Sequence, residues 1–199
     1  MVFVVGSGGD KGFVEAQTLG EFRRGVTSWA AGRGEVITAL TLNGRDAAEI
    51  EDSRDIGVSD ALQVATRPTR DALGDAIDEA RGYIPRLARA ISDSAGRLAS
   101  GGEGEALSLL GQCMDGLEWC HRLFALAATF VAGGDGNGDG APWPKRLRGY
   151  EGALAEASDA LGERDLVRLA DALQFMVHPE LAGWLAESEA LAAAVAARQ

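Results

Sequence analysis

The spacing of apolar and polar residues changes near Arg67-Pro68-Thr69 and divides the chain into two parts. Before this point, short apolar and β-branched runs alternate with turn residues, a pattern typical of strands. After it, apolar residues recur three and four positions apart, a pattern typical of amphipathic helices. We therefore predict a small sheet domain over residues 1–68 and a helical domain over residues 69–199.

The residue pattern of the N-terminal part predicts, in chain order, a strand, a turn, a strand, a helix, a strand, a loop and a final strand. Thr18 and Glu21 have the spacing of a capping box and predict the start of the helix. Gly32 and Gly34 can end that helix, and Asn43-Gly44 is a strong turn signal directly after a strand. The predicted strands cover Val2–Val5, Phe13–Ala16, Val36–Leu42 and Leu62–Thr66.

This order of elements resembles the ubiquitin-like β-grasp arrangement, in which a helix crosses one face of a small mixed sheet. The resemblance covers about a third of the chain and rests on element order. Members of that superfold that are activated at their C-terminus share a free glycine-glycine tail. Here the corresponding end runs through Arg67-Pro68 into a helix, so the resemblance does not imply a conjugation or sulfur-carrier role.

The second part begins with two apolar series that predict a long antiparallel helical hairpin. Each series runs for about 30 residues, and a very short turn at Gly101-Gly102 joins them. Pro85 lies inside the first series and should kink or split that helix. The second series consists of Leu107, Leu110, Met114, Leu117, His121, Phe124, Ala128 and Val131.

Three shorter helices are predicted after a glycine-rich linker over residues 133–144. Their apolar residues are Leu147, Tyr150, Leu154, Ala157 and Leu161, then Leu166, Leu169, Leu173 and Met176, and finally Leu181, Trp184, Leu185, Leu191 and Val195. The predicted fold class is therefore α+β, with a small mixed-sheet, β-grasp-like domain followed by an all-α helical bundle.

Composition and charge exclude some classes of function for this protein. Hydrophobic residues make up 46% and charged residues 25% of the 199 residues, which is ordinary for a globular protein. The net charge of −11 repels phosphate backbones and anionic membranes, so we expect no nucleic-acid partner and no membrane partner. Met1–Gly6 lacks the basic region of a secretory signal, and the longest apolar stretch, Leu123–Ala132, is too short to span a bilayer. We expect a soluble, cytoplasmic protein.

Cys113, Cys120 and His121 form the one cluster of soft metal ligands in the sequence. Two cysteines seven positions apart on a helix have Cα atoms about 10 Å apart, too far for a disulfide. The close ligand pairs of a zinc site are missing as well. We predict that both cysteines pack in the core and that there is no metal site, with a redox-active or metal-bound pair as the alternative.

Two glycine-rich segments resemble binding loops. Gly6–Gly12 follows a strand as a dinucleotide-binding loop would, but Lys11 stands where the third glycine of that fingerprint belongs. Asp135–Gly140 matches the start of an EF-hand loop, whose twelfth position would be Arg146 instead of a carboxylate. We interpret the first segment as a hairpin turn and the second as a linker, and leave open a weak calcium contact from Asp135 and Asp139.

The most distinctive local feature is the segment Pro142–Arg148, in which Trp143 is followed by Lys145, Arg146 and Arg148. Three cations at the start of a helix are unfavourable with respect to the helix dipole, so other groups must compensate for them. One interpretation is that acidic residues neutralise them and Trp143 covers the bundle core. The other is a protein-docking point formed by these four residues, because Trp and Arg are typical interface anchors.

No catalytic residues and no cofactor are predicted, because the chain has only two histidines and no G-x-S-x-G motif. The favoured hypothesis is a non-enzymatic bacterial adaptor, chaperone or assembly factor that binds an unidentified protein partner. Homodimerisation through the helical hairpin is a further prediction. The alternative is a small-molecule or nucleotide-binding protein that uses the Gly6–Gly12 loop.

Overall fold

A boundary between Ala72 and Leu73 divides the chain into two units, residues 1–72 and 73–199. The structure is a computed structural model and describes residues 2–5, 11–57, 59–132 and 143–198. The first unit contains all the described strands, and the second is helical. The fold class expected from the sequence is confirmed: a small sheet region is followed by a helical bundle, which is an α+β architecture.

The strands of the first unit form two sheets. β1 (Val2–Val5) and β2 (Lys11–Val14) form a hairpin, and β3 (Glu35–Leu42) lies between β4 (Arg45–Asp46) and β5 (Leu62–Pro68). β1 lies beside β5. However, every strand pairing among the described residues is antiparallel, so the expected mixed sheet is replaced by two antiparallel sheets. Antiparallel ladders are slightly more stable per residue than parallel ones.

Helix α1 (Leu19–Ala31) begins and ends as the sequence predicts. The Thr18 hydroxyl accepts a hydrogen bond from the Glu21 backbone N–H, and the Glu21 carboxylate accepts one from the Thr18 backbone N–H. Gly34 has a φ of +68°, which suits the residue that reverses the chain after a helix. A small core covers the buried face of α1, and its members are Val14, Leu19, Phe22, Val26 and Ala47.

The second unit is built from long helices. Its elements are α2 (Thr69–Ala99), α3 (Glu103–Ala132), α4 (Trp143–Glu163), α5 (Leu166–Ala172), a π-helical turn (Leu173–Val177) and α6 (His178–Ala196), with the first turn of α2 preceding the unit boundary. Within the described ranges, no helix has both the length and the apolar character needed to cross a bilayer.

Helices α2 and α3 form the predicted antiparallel hairpin. Near the turn, the Ser94 hydroxyl donates to the carbonyl oxygen of Ala106 over 3.4 Å. Farther along, the rings of Tyr83 and Trp119 meet edge to face with centroids 5.9 Å apart. From the first pair to the second, the residue numbers fall along α2 and rise along α3, as an antiparallel hairpin requires. Helix α2 continues through Pro85, so the sequence-based option that the helix splits there is wrong. Pro85 lies on the exposed side of the helix.

The buried face of α3 matches the predicted one in part. Leu110, Leu117, Phe124 and Ala128 of the predicted series are buried, whereas Met114 is half-exposed and His121 is partly exposed. Ala106, Cys113 and Cys120 are buried as well. The small side chains of Ala106 and the two cysteines let α3 approach its neighbours closely on a face that the leucine spacing did not single out. The prediction that both cysteines pack in the core is confirmed.

Pro179 causes a local change of helix type between α5 and α6. Proline has no backbone N–H and its ring crowds the carbonyl four residues earlier, here that of Phe175. The chain responds with the π-helical turn, in which the His178 N–H bonds to the carbonyl oxygen of Leu173, five residues back. The backbone stays helical through His178-Pro179, with one wide turn before it. The wide turn rotates the side chains that follow by one position.

Candidate functional site

The π-helical turn decides which side chains of residues 166–177 face the core. Leu169, Leu173 and Val177 are fully buried, whereas Phe175 and Met176 are exposed. In a regular helix, the series Leu166, Leu169, Leu173 would place Met176 in the core, as the sequence predicts. That prediction is wrong, because the extra residue in the π turn puts Val177 in the buried position. π turns inside helices are frequent at functional sites.

An exposed apolar surface lies on the outer side of this segment. It consists of Val167, Phe175 and Met176, which are 75%, 70% and 40% exposed, and we call these three residues the outer patch. They border one shallow depression, and the exposed Asp171 lies between Val167 and Phe175 along the helix. Single exposed apolar residues are ordinary, whereas several large ones on the border of one depression point to an interaction surface.

The border of the outer patch is acidic. Glu156, Asp165 and Asp171 line the same depression. Arg168 is the one cation among its described lining residues. The Arg168 guanidinium binds Glu156 through two contacts of 2.6 and 3.1 Å and Glu163 through one of 2.7 Å. This pairing lowers the pKa of Glu156 and raises that of Arg168. Because one cation serves several carboxylates, the border keeps a net negative charge.

A second candidate site lies on the inner side of the same segment. An apolar cavity of about 350 Å³ opens between α3, α4 and the π-helical turn, and we call it the α3–α4 pocket. Its buried floor includes Leu117, Leu169 and Leu173, whereas Met114 and Leu161 are exposed at its rim. The lining residues are Leu110, Met114, Leu117, Glu118, His121, Leu154, Ala157, Ser158, Leu161, Leu169, Leu173 and Val177.

The polar lining groups of the α3–α4 pocket lie on α3 and α4. His121 Nε2 is 3.1 Å from Glu151 Oε1, and Glu118 and Ser158 also line the pocket. Tyr150 lies beside His121, with ring centroids 6.3 Å apart. Among the described lining residues there is no lysine or arginine. Glu118 pairs with Arg122 of the same helix at 3.6 Å, so the pocket is an apolar chamber whose rim carries both acidic and basic side chains.

Trp143 and Arg146 of the predicted docking point interact within the bundle. Trp143 is the first residue of α4 and is buried in the core. The Arg146 guanidinium binds Glu180 at 3.2 Å and Glu187 at 2.6 Å. Both hydrogen bonds raise the pKa of Arg146, and the bond to Glu187 has the larger effect. These contacts match the interpretation in which acidic helices neutralise the cations and Trp143 covers the core.

Lys145 and Arg148, the other two residues of the predicted docking point, are exposed. The proposal that all four residues bind a protein stays a prediction. The expected linker over residues 133–144 needs one correction, since Trp143 and Pro144 belong to α4. Proline is well tolerated in the first turn of a helix, where its missing N–H has no partner in any case.

The soft-ligand cluster does not assemble around one point. Cys113 and Cys120 face the core, and burial raises the pKa of both thiols, that of Cys120 to about 12. His121 instead faces Glu151 and the pocket. The cysteines are free and pack in the core, whereas His121 contributes to a site that sequence reasoning missed.

The two glycine-rich motifs lie largely outside the described residues. Gly6–Asp10 and Asp135–Gly140 are not described, while Lys11 and Gly12 form part of strand β2. Nucleotide binding by Gly6–Gly12 and a calcium contact from Asp135 and Asp139 therefore stay predictions.

The helical unit matches a known sequence family. The model of the family described as a domain of unknown function, DUF8042, matches residues 75–187, which is more than half of the chain. The chain belongs to the DUF8042 family. No curated protein and no solved structure gives a significant match. The DUF8042 match covers the outer patch and every residue that lines the α3–α4 pocket, so both sites lie within the family domain.

The sequence carries one signal for these two sites. That signal is Pro179, which follows the π-helical turn that separates the outer patch from the pocket floor of the DUF8042 domain; Pro85 inside α2 shows that a proline alone does not predict such a turn. The pocket itself has no sequence signal. It arises where Met114, Leu161 and His121, members of apparently regular apolar series, are left incompletely covered by neighbouring helices.

Proposed function

We propose that this DUF8042 protein is a non-enzymatic protein-interaction module, an adaptor, chaperone or assembly factor, that binds its partner through the outer patch. The observation that carries the proposal is the exposure of Val167 and Phe175, 75% and 70%, on the border of one surface depression. Exposing two large apolar side chains to water is unfavourable, by about 25 cal/mol per Å² of apolar area. A partner that covers them removes that cost.

The charge around the outer patch specifies the chemistry of the partner. Glu156, Asp165 and Asp171 attract Lys and Arg, so the partner presents an apolar anchor flanked by basic residues. A symmetric dimer through this patch would place two acidic borders against each other, which is unfavourable. The partner at the outer patch is therefore a different protein. Homodimerisation through the α2–α3 hairpin stays a separate proposal, which light scattering over a range of concentrations tests.

The remaining features of the chain are compatible with an adaptor. We propose a cytoplasmic location, supported by two free cysteines that suit a reducing compartment. We also propose that the N-terminal unit is β-grasp-like, supported by the order of the β1–β2 hairpin, α1, β3 and β5. Strand β5 leads directly into α2 at Thr69, so no activated C-terminal tail is part of this proposal.

Site-specific photo-crosslinking in the source cells tests the outer patch. A photoreactive amino acid replaces Val167 in one variant and Leu126, an exposed residue on α3, in a matched control. We expect a covalent adduct at position 167 that is missing at position 126. The partner peptide identified by mass spectrometry should contain apolar residues flanked by Lys or Arg.

A second substitution makes the crosslinking test specific. Phe175→Ser removes an exposed apolar side chain and leaves the acidic border intact, so the adduct at position 167 should disappear while the thermal unfolding midpoint is unchanged. Equal adducts at positions 167 and 126, no adduct at either position, an adduct with a second copy of this chain, or an acidic partner segment would each overturn the proposal.

A further inference from the structure

Strand β3 has an open edge along most of its length. Strand β5 pairs with β3 from Glu35 to Leu42, whereas on the opposite edge β4 pairs with Thr41 and Leu42 alone. Within the described ranges, no strand pairs with that opposite edge from Glu35 to Leu40, and we call this stretch the β3 edge. The unpaired N–H and C=O groups of a sheet edge are a template for another extended chain.

The backbone groups of Leu40 point to the β3 edge. The two-residue turn Asn43-Gly44, in which both φ values are positive, joins β3 to β4. The residues that flank such a turn, Leu42 and Arg45, exchange backbone hydrogen bonds. Successive residues of a strand direct these groups to alternate edges, and the register with β5 is regular over residues 40–42. Leu40 therefore directs its N–H and C=O to the same side as Leu42, beyond the residues that β4 pairs.

A groove of about 580 Å³ follows the β3 edge. It is lined by Arg23 of α1, by Ile37–Thr41 of β3 and by Asp46, Ala47 and Ala48. Successive side chains of a strand point to opposite faces of the sheet, so a groove that contacts all of residues 37–41 lies along the edge of the strand. At roughly 3.3 Å per residue, this stretch of β3 is about 16 Å long, the length of an extended segment of about five residues.

The inner side of the groove is apolar. Ile37 and Leu40 are partly buried against the small core that covers α1, and Ala47 belongs to that core. A strand added at the β3 edge would place every second side chain next to these residues. Those side chains should be apolar, and β-branched residues such as valine are favoured because they suit a strand.

The charged side chains that line the groove already have partners. The Arg23 guanidinium binds the Asp52 carboxylate and the carbonyl oxygen of Ile50, the latter at 3.1 Å. The Asp46 carboxylate accepts a hydrogen bond of 2.9 Å from the Ala48 N–H. Neither group depends on an occupant of the groove for a partner. Recognition at the β3 edge therefore rests on backbone hydrogen bonds and apolar contact.

The irregular register of β3 disfavours a second copy of this chain as the occupant. The pairing with β5 shifts between Ile37 and Ala39, and Thr38 has no partner in that register. Such irregularities interrupt pairing at sheet edges. Two copies joined through this edge would place two irregular stretches against each other, whereas a short peptide adapts its backbone to one.

We propose that the β3 edge binds an extended, uncharged segment of a partner protein as an additional strand. Backbone hydrogen bonds to groups such as those of Leu40 provide affinity, and apolar side chains at alternate positions provide specificity. The β3 edge lies in the N-terminal unit, outside the DUF8042 match, and does not depend on the outer patch. An adaptor joins two partners, and this edge supplies a second docking surface.

A peptide and two N-methylated versions of it test the backbone pairing with the full chain. The probe is a hexapeptide of alternating threonine and valine with neutral ends; one version is N-methylated at the threonines and the other at the valines. Each version lacks the N–H groups along one edge of the peptide strand. Heteronuclear NMR titration gives the dissociation constants and the amides that shift.

We expect saturable binding of the unmodified peptide, with the largest shifts at residues 37–41 and slower hydrogen exchange of the Leu40 amide. One methylated version should bind more weakly by about tenfold or more, and the other should bind as the unmodified peptide does. No binding, equal losses for both versions, no loss for either, or shifts confined to other residues would refute the proposal.

Matched substitutions test the location. Ala48 is exposed and lines the groove, whereas Ala31 is exposed at the end of α1 and does not line it. Ala48→Phe fills the groove and should weaken the peptide by about tenfold or more, while Ala31→Phe should leave its affinity unchanged. Equal affinities for the two variants would contradict the site. Circular dichroism checks folding, and the methylated peptides carry the test on the natural chain if Ala48→Phe does not fold.

Analytical ultracentrifugation tests the other possible occupant, a second copy. We expect Ala48→Phe to leave the sedimentation of the protein unchanged. A dimer of the natural chain that Ala48→Phe dissociates would mean that the β3 edge pairs with another copy, and the peptide proposal would then be wrong.

Discussion

The phenol group of Tyr150 on α4 donates a hydrogen bond to the backbone carbonyl oxygen of Leu117 on α3, with 3.0 Å between the two oxygens. Tyr150 is fully buried, and this burial raises the pKa of its hydroxyl. Leu117 is part of the pocket floor, so the bond joins the two helices beside the α3–α4 pocket.

Tyr150→Phe should lower the free energy of unfolding by about 1 kcal/mol, the usual net value of a hydrogen bond in a protein core. The substitution removes the hydroxyl alone and leaves the ring in place. Urea unfolding followed by circular dichroism measures the change. Tyr83→Phe is the matched control, because Tyr83 is the other tyrosine of the chain and is only half-buried. An equal loss for both variants would show that the Tyr150 bond has no special role.

Gly116 and Gly111 should respond in opposite ways to alanine. Both lie inside α3, where alanine is favoured over glycine by about 1 kcal/mol. A Cβ at Gly111 meets open space, whereas a Cβ at Gly116 overlaps the phenol end of Tyr83, whose ring packs against Trp119. We expect Gly111→Ala to stabilise the chain and Gly116→Ala to destabilise it by about 1–3 kcal/mol.

Thermal and urea unfolding of the two glycine variants decide between these outcomes. Combining Gly116→Ala with Tyr83→Ala should remove most of the added cost, because the overlapping ring is gone. A stabilising Gly116→Ala would mean that the Tyr83 ring moves aside freely and that the α2–α3 hairpin is packed less closely than described.

The thiols of Cys113 and Cys120 should be unreactive in the folded protein. Both are buried, and burial raises the pKa of Cys120 from 9.0 to about 12. Since the thiolate is the reactive form, a thiol reagent such as Ellman's reagent should label neither residue at neutral pH until guanidinium chloride unfolds the chain. Rapid labelling of the native protein would contradict the burial of the two residues.

The same shift predicts that stability falls in alkaline solution. Folding raises the thiol pKa, so its contribution to stability is complete below the unfolded value of 9.0. Above that pH the unfolded chain loses its proton first, and the free energy of unfolding declines until Cys120 ionises in the folded state at about pH 12. Urea unfolding at a series of pH values measures the decline. It should be less steep in Cys120→Ala, and an identical slope would contradict the assignment.

Met176 and Val177 distinguish the π-helical turn from a regular helix. In the structure Val177 is fully buried and Met176 is exposed. Val177→Ser should therefore cost about 2–4 kcal/mol through lost apolar burial and an added buried hydroxyl. Met176→Ser, at an exposed site, should change stability by less than about 0.5 kcal/mol. The reverse order in chemical denaturation would contradict the burial of Val177 and the exposure of Met176.

The sequence alone determined the ends of several elements. Thr18 and Glu21 lie three residues apart at a helix start, and Asn43-Gly44 reverses the chain with φ values of 52° and 79°. Gly101 takes a φ of +83° at the end of α2. Each feature depends on backbone groups within one turn of the residue that causes it, so the local sequence contains all that is needed.

The tertiary structure alone decided which faces of the helices are covered. Leucine spacing could not show that Met114 of α3 stays half-exposed, or that Leu161 remains at a pocket rim. It also could not pair Arg146 with Glu180 and Glu187, more than thirty residues away. Burial and ion pairing depend on distances between helices that are remote in the chain, and those distances are set by the fit of all the side chains together.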